Sequence, residues 1–360
     1  MSPLRRMRAV PSAASSFAVR HMKRSEGVLV LMATLACWST VPLFVRHLAG
    51  YIDHWTNNGW RYGASALFWL PAVLWALSRG VLPRTIWRAA LVPAIANTVA
   101  QVAFTAAHSY VNPGLLTFGL RLQLVAVAIG AYLLFPAERA TIASVRYLGG
   151  LGLLICGVAG VLLGGGSILE GSSMIGVLLA VFAGIGYGVY GLAVRKFMYG
   201  YHPVFAFGVI ALYTGGTLVA CMLAFARGHG AEVLDLGSSE LWSLGLSAFF
   251  GIAIGHVLYY TAIDRMGVAT TAGVLQLQPF IVSAFSAAYF GEVLSGKQWA
   301  AGVVAVLGAG LVLSAQKAAE RKRAARAIRN EERWSEHYFG EVGTTSVTSA
   351  SAVFRPIIRV

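Results

Sequence analysis

The sequence predicts an all-α membrane protein, with ten transmembrane helices in two inverted five-helix repeats. Three observations support this prediction: the apolar composition, the regular recurrence of long apolar runs, and an internal repetition of short motifs. Of the 360 residues, 57% are hydrophobic and only 12% are charged, whereas soluble domains carry about 25% charged residues. Because even soluble folds of this size expose a largely polar surface, lipid must surround much of this chain.

The apolar runs have the length that a bilayer requires, since a hydrocarbon core of about 30 Å needs about 20 residues per helix. The first run is preceded by basic residues and is too long for a typical signal peptide, so it indicates a transmembrane helix. We predict spans at 27–48, 58–78, 89–109, 114–135, 145–165, 173–195, 203–226, 241–263, 268–290 and 298–316.

The distribution of Lys and Arg predicts that both chain ends are cytoplasmic. With that orientation eight basic residues lie in the inside loops, and only Arg46, Arg61, Arg227 and Lys297 lie outside. Positive residues stay on the cytoplasmic side of membrane proteins, so the net charge of +14 indicates topology. Nucleic-acid binding is therefore not expected. We expect the protein to lie in the inner membrane.

Both tails are basic and are expected to be cytoplasmic. They comprise residues 1–26 and 317–360. The sequence from Lys317 to Trp334 favours a helix and is expected to continue the last span near anionic headgroups. Residues 342–353 are rich in Ser, Thr and Val, and we expect them to be disordered.

Short motifs of the first half of the chain recur in the second half. CWSTVPLFVR, which ends at Arg46, matches GYGVYGLAVR, which ends at Arg195, 149 residues later. RLQL at 121–124 matches QLQP at 276–279, 155 residues later. Several matches in the same order and at nearly constant spacing indicate an internal duplication.

The duplication predicts two five-helix halves, at 27–165 and 173–316. Glu138 closes the fourth run and Glu292 closes the ninth, so the acids also correspond. Because five is an odd number, the two halves must enter the membrane from opposite sides. This is the inverted repeat that many secondary transporters use.

These features resemble the drug/metabolite transporter superfamily, in particular its EamA-type members. The resemblance covers residues 27 to about 316, and it includes the aromatic-then-Arg pattern from Trp38 to Arg46 and Arg61 in the second helix. The fourth helix departs from the family pattern, because Leu124 stands where a mid-helix proline is expected. The resemblance implies export or exchange of a small organic metabolite without an ATPase, and it names no particular solute.

Polar side chains deep in a membrane are candidates for solute binding, because burying them there is unfavourable. All 14 acids lie at helix ends, in loops or in the tails, so a proton relay on a buried carboxylate is not expected. Arg121 lies seven residues into the predicted fourth helix, about 10 Å deep. It either anchors a substrate carboxylate or phosphate, or it snorkels to the interface or bonds backbone carbonyls.

The other candidates are amides, one histidine and aromatic side chains. The amides either line the cavity or bond neighbouring helices, and the histidine either exchanges a proton or bonds a neighbouring helix. The aromatic residues either line the route or pack. Pro42 and Pro279 are expected to loosen their helices and free backbone carbonyls. The predicted substrate-binding set is Arg121, Gln123, Gln101, His256, Gln276, Gln278, Trp38, Tyr187 and Tyr260.

The function predicted from these residues is alternating-access transport of a small solute with a carboxylate or phosphate, such as an amino acid or organic acid. The sequence contains no HExxH, no CxxC and no nucleophile elbow, so neither an enzyme nor a metal or cofactor is expected. The expected partners are the solute and the lipid bilayer, with a homodimer left open. The alternative class is a non-transporting membrane scaffold or a lipid-handling membrane enzyme.

Overall fold

The computed structural model describes residues 24–164, 173–266 and 268–340, and in these three ranges the chain is helical with no β-strand. The predicted 342–353 segment and most of the predicted N-terminal tail lie outside the described residues. The helices are α1 (Arg24–Leu48), α2 (His54–Ser78), α3 (Thr85–Ala107), α4 (Pro113–Gly119), α5 (Gln123–Leu134), α6 (Arg139–Ile142), α7 (Val145–Leu163), α8 (Met174–Phe197), α9 (Pro203–Phe225), α10 (Ser238–Leu246), α11 (Gly255–Met266), α12 (Val268–Leu275), α13 (Gln278–Phe290) and α14 (Gly296–Gly340).

Eight helical segments in the described ranges are long and apolar enough to cross a membrane. They are Glu26–Leu48, Thr85–Ala107, Pro113–Leu134, Val145–Leu163, Met174–Phe197, Pro203–Phe225, Ser238–Ile263 and Gly296–Asn330. The predicted spans at 58–78 and 268–290 are not among them. The first belongs to α2, whose first turns read HWTNNGWR, and the second is interrupted between α12 and α13.

Helix α2 begins at His54, four residues before the predicted span, because Asp53 caps it. The Asp53 carboxylate accepts hydrogen bonds from the backbone N–H groups of Trp55 at 2.7 Å and Thr56 at 2.9 Å. An aspartate in this position satisfies N–H groups that have no partner within the helix. The polar first turns of α2 are therefore helical, although their composition does not resemble that of a membrane span.

Three of the predicted spans are interrupted, where we expected continuous helices. A 3-10 turn at Leu120–Leu122 separates α4 from α5, and a π-helix at Ser247–Ile254 separates α10 from α11. Between α12 and α13 the break falls at 276–277. Pro279 stands in the first turn of α13, and proline cannot continue the hydrogen-bond ladder of a preceding helix. The first and third breaks lie at the positions that the RLQL and QLQP motifs make equivalent.

The helices of one half pack on those of the other in a regular pattern. Helix α1 packs on α11 and α3 packs on α8, while α2 packs on α9, α4 on α13 and α7 on α14. Helices α7 and α14 approach backbone to backbone. A Cβ added to Gly308 would lie 2.3 Å from the backbone nitrogen of Leu154, and one added to Gly157 would lie 2.3 Å from that of Ala305.

Candidate functional site

A line of hydrogen bonds joins proline-containing helices inside the molecule. In a regular helix, the carbonyl of residue i accepts from the N–H of residue i+4, and proline has no N–H to donate. Pro42 therefore leaves the carbonyl of Trp38 without its helical partner. The side chain of Gln278 takes that place, because its Nε2 donates to the Trp38 carbonyl at 2.7 Å.

Pro279 creates the same situation in α12, where it leaves the carbonyl of Leu275 without its helical donor. The guanidinium of Arg121 supplies the missing bond from Nη1, at 3.0 Å. Its Nη2 donates to Oε1 of Gln278 at 2.9 Å, and its Nε donates to the carbonyl of Thr117 at 3.2 Å. We call this pair of side chains the Arg121–Gln278 bridge. Of the alternatives for Arg121, this geometry agrees with the one in which the guanidinium bonds backbone carbonyls. A part for Arg121 in substrate binding stays a prediction.

Aromatic rings lie beside the bridge. The ring of Trp38 lies 4.6 Å from that of Tyr259 and 5.5 Å from that of His256, measured between centroids. His256 stacks on Phe207 with centroids 4.6 Å apart and planes inclined by 10°, and its Nδ1 lies 3.2 Å from the carbonyl of Ile252. The imidazole is thus fixed by stacking and by a contact with the π-helix that precedes α11, and proton exchange by His256 stays a prediction.

Tyr260 connects this aromatic group to α8. The hydroxyl of Tyr260 lies 2.5 Å from that of Tyr190, which joins α11 to α8 through a hydrogen bond. Tyr187 lies one turn before Tyr190, with its ring centroid 6.0 Å from that of Phe104 in α3. The Tyr260–Tyr190 hydrogen bond therefore lies within the second half, whereas Tyr187 contacts a helix of the first half.

A second arginine, Arg61 in α2, is almost wholly buried, at 1% exposure. Its electrostatic neighbours are Tyr62 and Tyr187. The π-helix passes next to it, since a Cβ added to Gly251 would lie 3.8 Å from its Nη2. Across the described ranges, neither Nε nor Nη1 of Arg61 has a hydrogen-bond partner, and no carboxylate lies within ion-pair distance of it.

Two amides of α3 lie beside the tyrosines that neighbour Arg61. Gln101 lies beside the hydroxyls of Tyr62 and Tyr187, and Nδ2 of Asn97 lies 3.5 Å from the Tyr62 hydroxyl. The side-chain oxygens of Asn97 and Gln101 receive no hydrogen bond from any part of the chain that the structure describes. We call Arg61, Tyr62, Asn97, Gln101 and Tyr187 the Arg61 cluster. It combines free donors on a cation with free acceptors on neutral amides.

The two remaining predicted residues stand at the helix interruptions. Gln123 is half-buried and begins α5. Gln276 is buried, with its Nε2 3.4 Å from the carbonyl of Ala272, while its Oε1 has no partner among the described residues. The predicted set thus divides between the bridge, the aromatic group, the Arg61 cluster and the interruptions.

The sequence analysis did not include Arg61 among the candidate residues and counted it among the outside charges. The structure puts Arg61 inside the protein and not in a loop, because the Asp53 cap starts α2 at His54 and leaves Arg61 seven residues into the helix, about 10 Å along its axis at 1.5 Å per residue. The signal was the capping Asp followed by Asn57 and Asn58, which lie one turn before Arg61 on the same side of the helix.

Two ion pairs join the halves at equivalent positions. Nη2 of Arg46, at the end of α1, lies 2.7 Å from Oε1 of Glu292, just after α13. The Ser286 hydroxyl donates to the other oxygen of this carboxylate at 2.7 Å. Arg195, near the end of α8, pairs with Glu138, just after α5. The arginines and acids that the sequence repeat aligned thus form pairs between the two halves, which the sequence analysis did not predict.

Comparisons with known proteins agree with the duplication. The model of the EamA-like transporter family matches the chain twice, at residues 25–163 and 174–314. A solved structure, titled only as the crystal structure of a protein, superposes with a TM-score of 0.56 at 17% identity, over 82% of this chain and 99% of that one. This likeness concerns the fold alone. No curated protein sequence matches the chain.

Proposed function

The chain belongs to the EamA-like transporter family, and from this premise we propose that it is a secondary transporter that works by alternating access. Membership in the family makes it a multi-pass membrane protein that transports small solutes, not an enzyme. The finer proposal is that it exports or exchanges a small organic metabolite, such as an amino acid or organic anion, across the inner membrane. Its polar lining would include the bridge, the aromatic group and Gln101.

We propose that the chain crosses the membrane ten times, with α2 and the α12–α13 segment as the two further spans. Helix α2 has 25 residues, which at 1.5 Å per residue exceeds the 30 Å of a hydrocarbon core. Its polar first turns face protein, since Asn57, Asn58 and Arg61 are all buried. Interrupted helices are tolerated at membrane depth where they line a cavity or other protein.

The pattern of helix packing supports two inverted halves. A two-fold axis that exchanges the halves would exchange α1 with α8 and α3 with α10–α11. The contact of α1 with α11 then predicts a contact of α8 with α3, and both occur. The same axis leaves α2 facing its counterpart α9, and α7 facing its counterpart α14, and these helices also pack together.

The observation on which the alternating-access proposal chiefly depends is the pair of ion pairs between the halves. In the proposed topology, Arg46–Glu292 lies at the external face and Arg195–Glu138 lies at the cytoplasmic face. We propose that each pair closes one face, and that the transport cycle opens them in turn. Both tails would lie on the cytoplasmic side, because the basic residues of the loops are concentrated there.

Counterflow in proteoliposomes tests this proposal. Purified protein is reconstituted with one amino or organic acid inside at high concentration, and the uptake of the labelled acid is followed with and without a pH gradient. We expect saturable counterflow for one chemical class. If a panel of amino acids, organic acids and phosphate esters gives no counterflow with folded protein, the proposal is wrong.

The same assay separates a transporter from a scaffold. A variant in which Gln101, His256 and Gln276 are replaced by Leu, with the tail intact, should lose counterflow. The matched control replaces three lipid-facing residues, Leu67, Ile95 and Leu133, which are each more than 60% exposed, by Val, and should retain it. A scaffold would tolerate both sets of changes in its own cellular role.

A further inference from the structure

We propose that the Arg61 cluster is the substrate-binding site, and that it takes a solute with a carboxylate and at least one hydrogen-bond donor, such as an α-amino or α-hydroxy acid. The inference rests on the proposed transport function and names the substrate class. It also assigns the anion anchor to Arg61 in place of Arg121, the anchor that the sequence predicted.

The two buried arginines differ in what they bind. All three nitrogens of the Arg121 guanidinium already donate to protein oxygens, on Thr117, Leu275 and Gln278. Arg61 is buried just as deeply, yet its Nε and Nη1 donate to nothing in the described part of the chain. A buried charge without a partner is strongly unfavourable, so the free donors indicate a place for an anion. A carboxylate is the group that a guanidinium binds best among common metabolites.

The neutral members of the cluster add a second requirement. The side-chain oxygens of Asn97 and Gln101 accept no hydrogen bond in the ranges described. Asn97 already uses its Nδ2 toward Tyr62 and Thr214, and Gln101 has the tyrosine hydroxyls beside it. A ligand that brings an N–H or O–H group can satisfy these oxygens, and leaving them unpaired costs about 1–3 kcal/mol each. An ammonium or hydroxyl next to the carboxylate provides that donor, and a simple carboxylate such as acetate does not.

Net charge narrows the class further. No carboxylate of the described chain forms an ion pair with Arg61, so a cationic solute would meet an uncompensated guanidinium. A zwitterionic or singly anionic acid places its negative end on Arg61 and its donor on the amides. The cluster therefore selects against amides, esters and amines that lack the carboxylate.

Entry to the cluster requires movement, because Arg61 is 1% exposed. The π-helix at Ser247–Ile254 lies against it through Gly251. π-helices are rare and frequently occur at functional sites. A conformational change in the transport cycle that shifts the π-helix relative to α2 would open the Arg61 cluster to one face of the membrane.

Ligand binding to the full-length protein in nanodiscs tests the proposal, with thermal stabilisation as the measurement. The probes are alanine, serine and lactate, each compared with its amide, and acetate as the acid without a donor. We expect at least one donor-bearing acid to stabilise the protein and its amide to have no effect. R61Q should weaken the binding of that acid about 10- to 100-fold, because a charge-assisted hydrogen bond is lost, and R61K should lose less.

Stability without ligand distinguishes a site from a structural support. R61Q should melt at the same temperature as the unmodified protein or higher, because it removes an unpaired buried charge. The comparison variant R121Q should melt lower, because it removes three hydrogen bonds. The proposal is overturned if R61Q lowers the melting temperature as R121Q does, if it binds the acid with unchanged affinity, or if no acid of the panel stabilises the protein.

The outcomes also separate this inference from the proposed function. Counterflow of an acid with an unchanged KM in R61Q would refute the Arg61 site and leave the transporter intact. Binding that depends on Arg61, without counterflow of any probe, would refute transport and leave the site intact.

Discussion

The Arg121–Gln278 bridge gives a testable prediction about stability, because a proline explains why Arg121 bonds a backbone carbonyl. The Leu275 carbonyl accepts from Arg121 at 3.0 Å in the place where Pro279 has no N–H to offer. R121Q removes three hydrogen bonds, worth about 0.6 kcal/mol each by averages for membrane proteins. It also leaves the Leu275 carbonyl unsatisfied, at about 1–3 kcal/mol. We expect R121Q to lower the free energy of unfolding by about 3–5 kcal/mol.

The proline provides the matched control. In P279A, residue 279 regains an N–H that can donate to the Leu275 carbonyl, so that Arg121 is no longer the only donor. R121Q should then destabilise P279A less than it destabilises the unmodified protein, with a coupling energy of about 1–3 kcal/mol. The measurement is reversible unfolding in mixed micelles for the four proteins of the cycle. Additive effects would refute the reasoning that the arginine substitutes for the missing N–H.

Three further predictions follow from other contacts. R46E should abolish counterflow in proteoliposomes, and R46E/E292R should restore part of it, since the exchanged charges can pair again. If the double variant shows no more counterflow than R46E, the proposed role of this ion pair is wrong. Burial opposes ionisation of Asp53, but its bonds from three backbone N–H groups hold its pKa below the usual value, so stability should fall as the pH drops below about 3.9. D53N should flatten that loss in melting curves between pH 7 and 3, and an unchanged slope counts against it. G308L should separate α14 from α7, because a Cβ at this position would lie 2.3 Å from the Leu154 nitrogen, and it should lower the melting temperature by several degrees. The control G310L should not, because a Cβ on Gly310 would meet open space.

Much of the fold could be predicted because lipid imposes simple lengths on apolar runs. The membrane class and the family followed from composition, periodicity and the repeated motifs, and the family match confirmed them. The start of α2 could not be found in this way. A search for membrane spans looks for runs of apolar residues. The first turns of α2 instead carry Asn57, Asn58 and Arg61, which are buried against other parts of the protein. A cap at Asp53 was the better guide to that boundary than hydropathy.

The site was only partly predictable for a related reason. Sequence shows how deep an arginine lies, and depth alone made Arg121 the first candidate. It does not show which carbonyls are free, because that depends on where prolines of other helices come to rest. Pro42 and Pro279 were expected to free carbonyls, but the side chains that bind them, from Gln278 and Arg121, belong to distant parts of the chain.

The two arginines therefore answer different physical demands, although they look alike in sequence. The guanidinium of Arg121 stabilises the fold, because it completes helices that proline leaves open. The Nε and Nη1 of Arg61 donate to nothing in the described chain, and the desolvation of this guanidinium opposes folding. If replacing Arg61 leaves the fold equally stable or more stable, the arginine is there to bind a partner other than the protein itself. In a family of solute transporters, that partner is the solute, and the unsatisfied charge becomes a source of binding free energy once an acid enters.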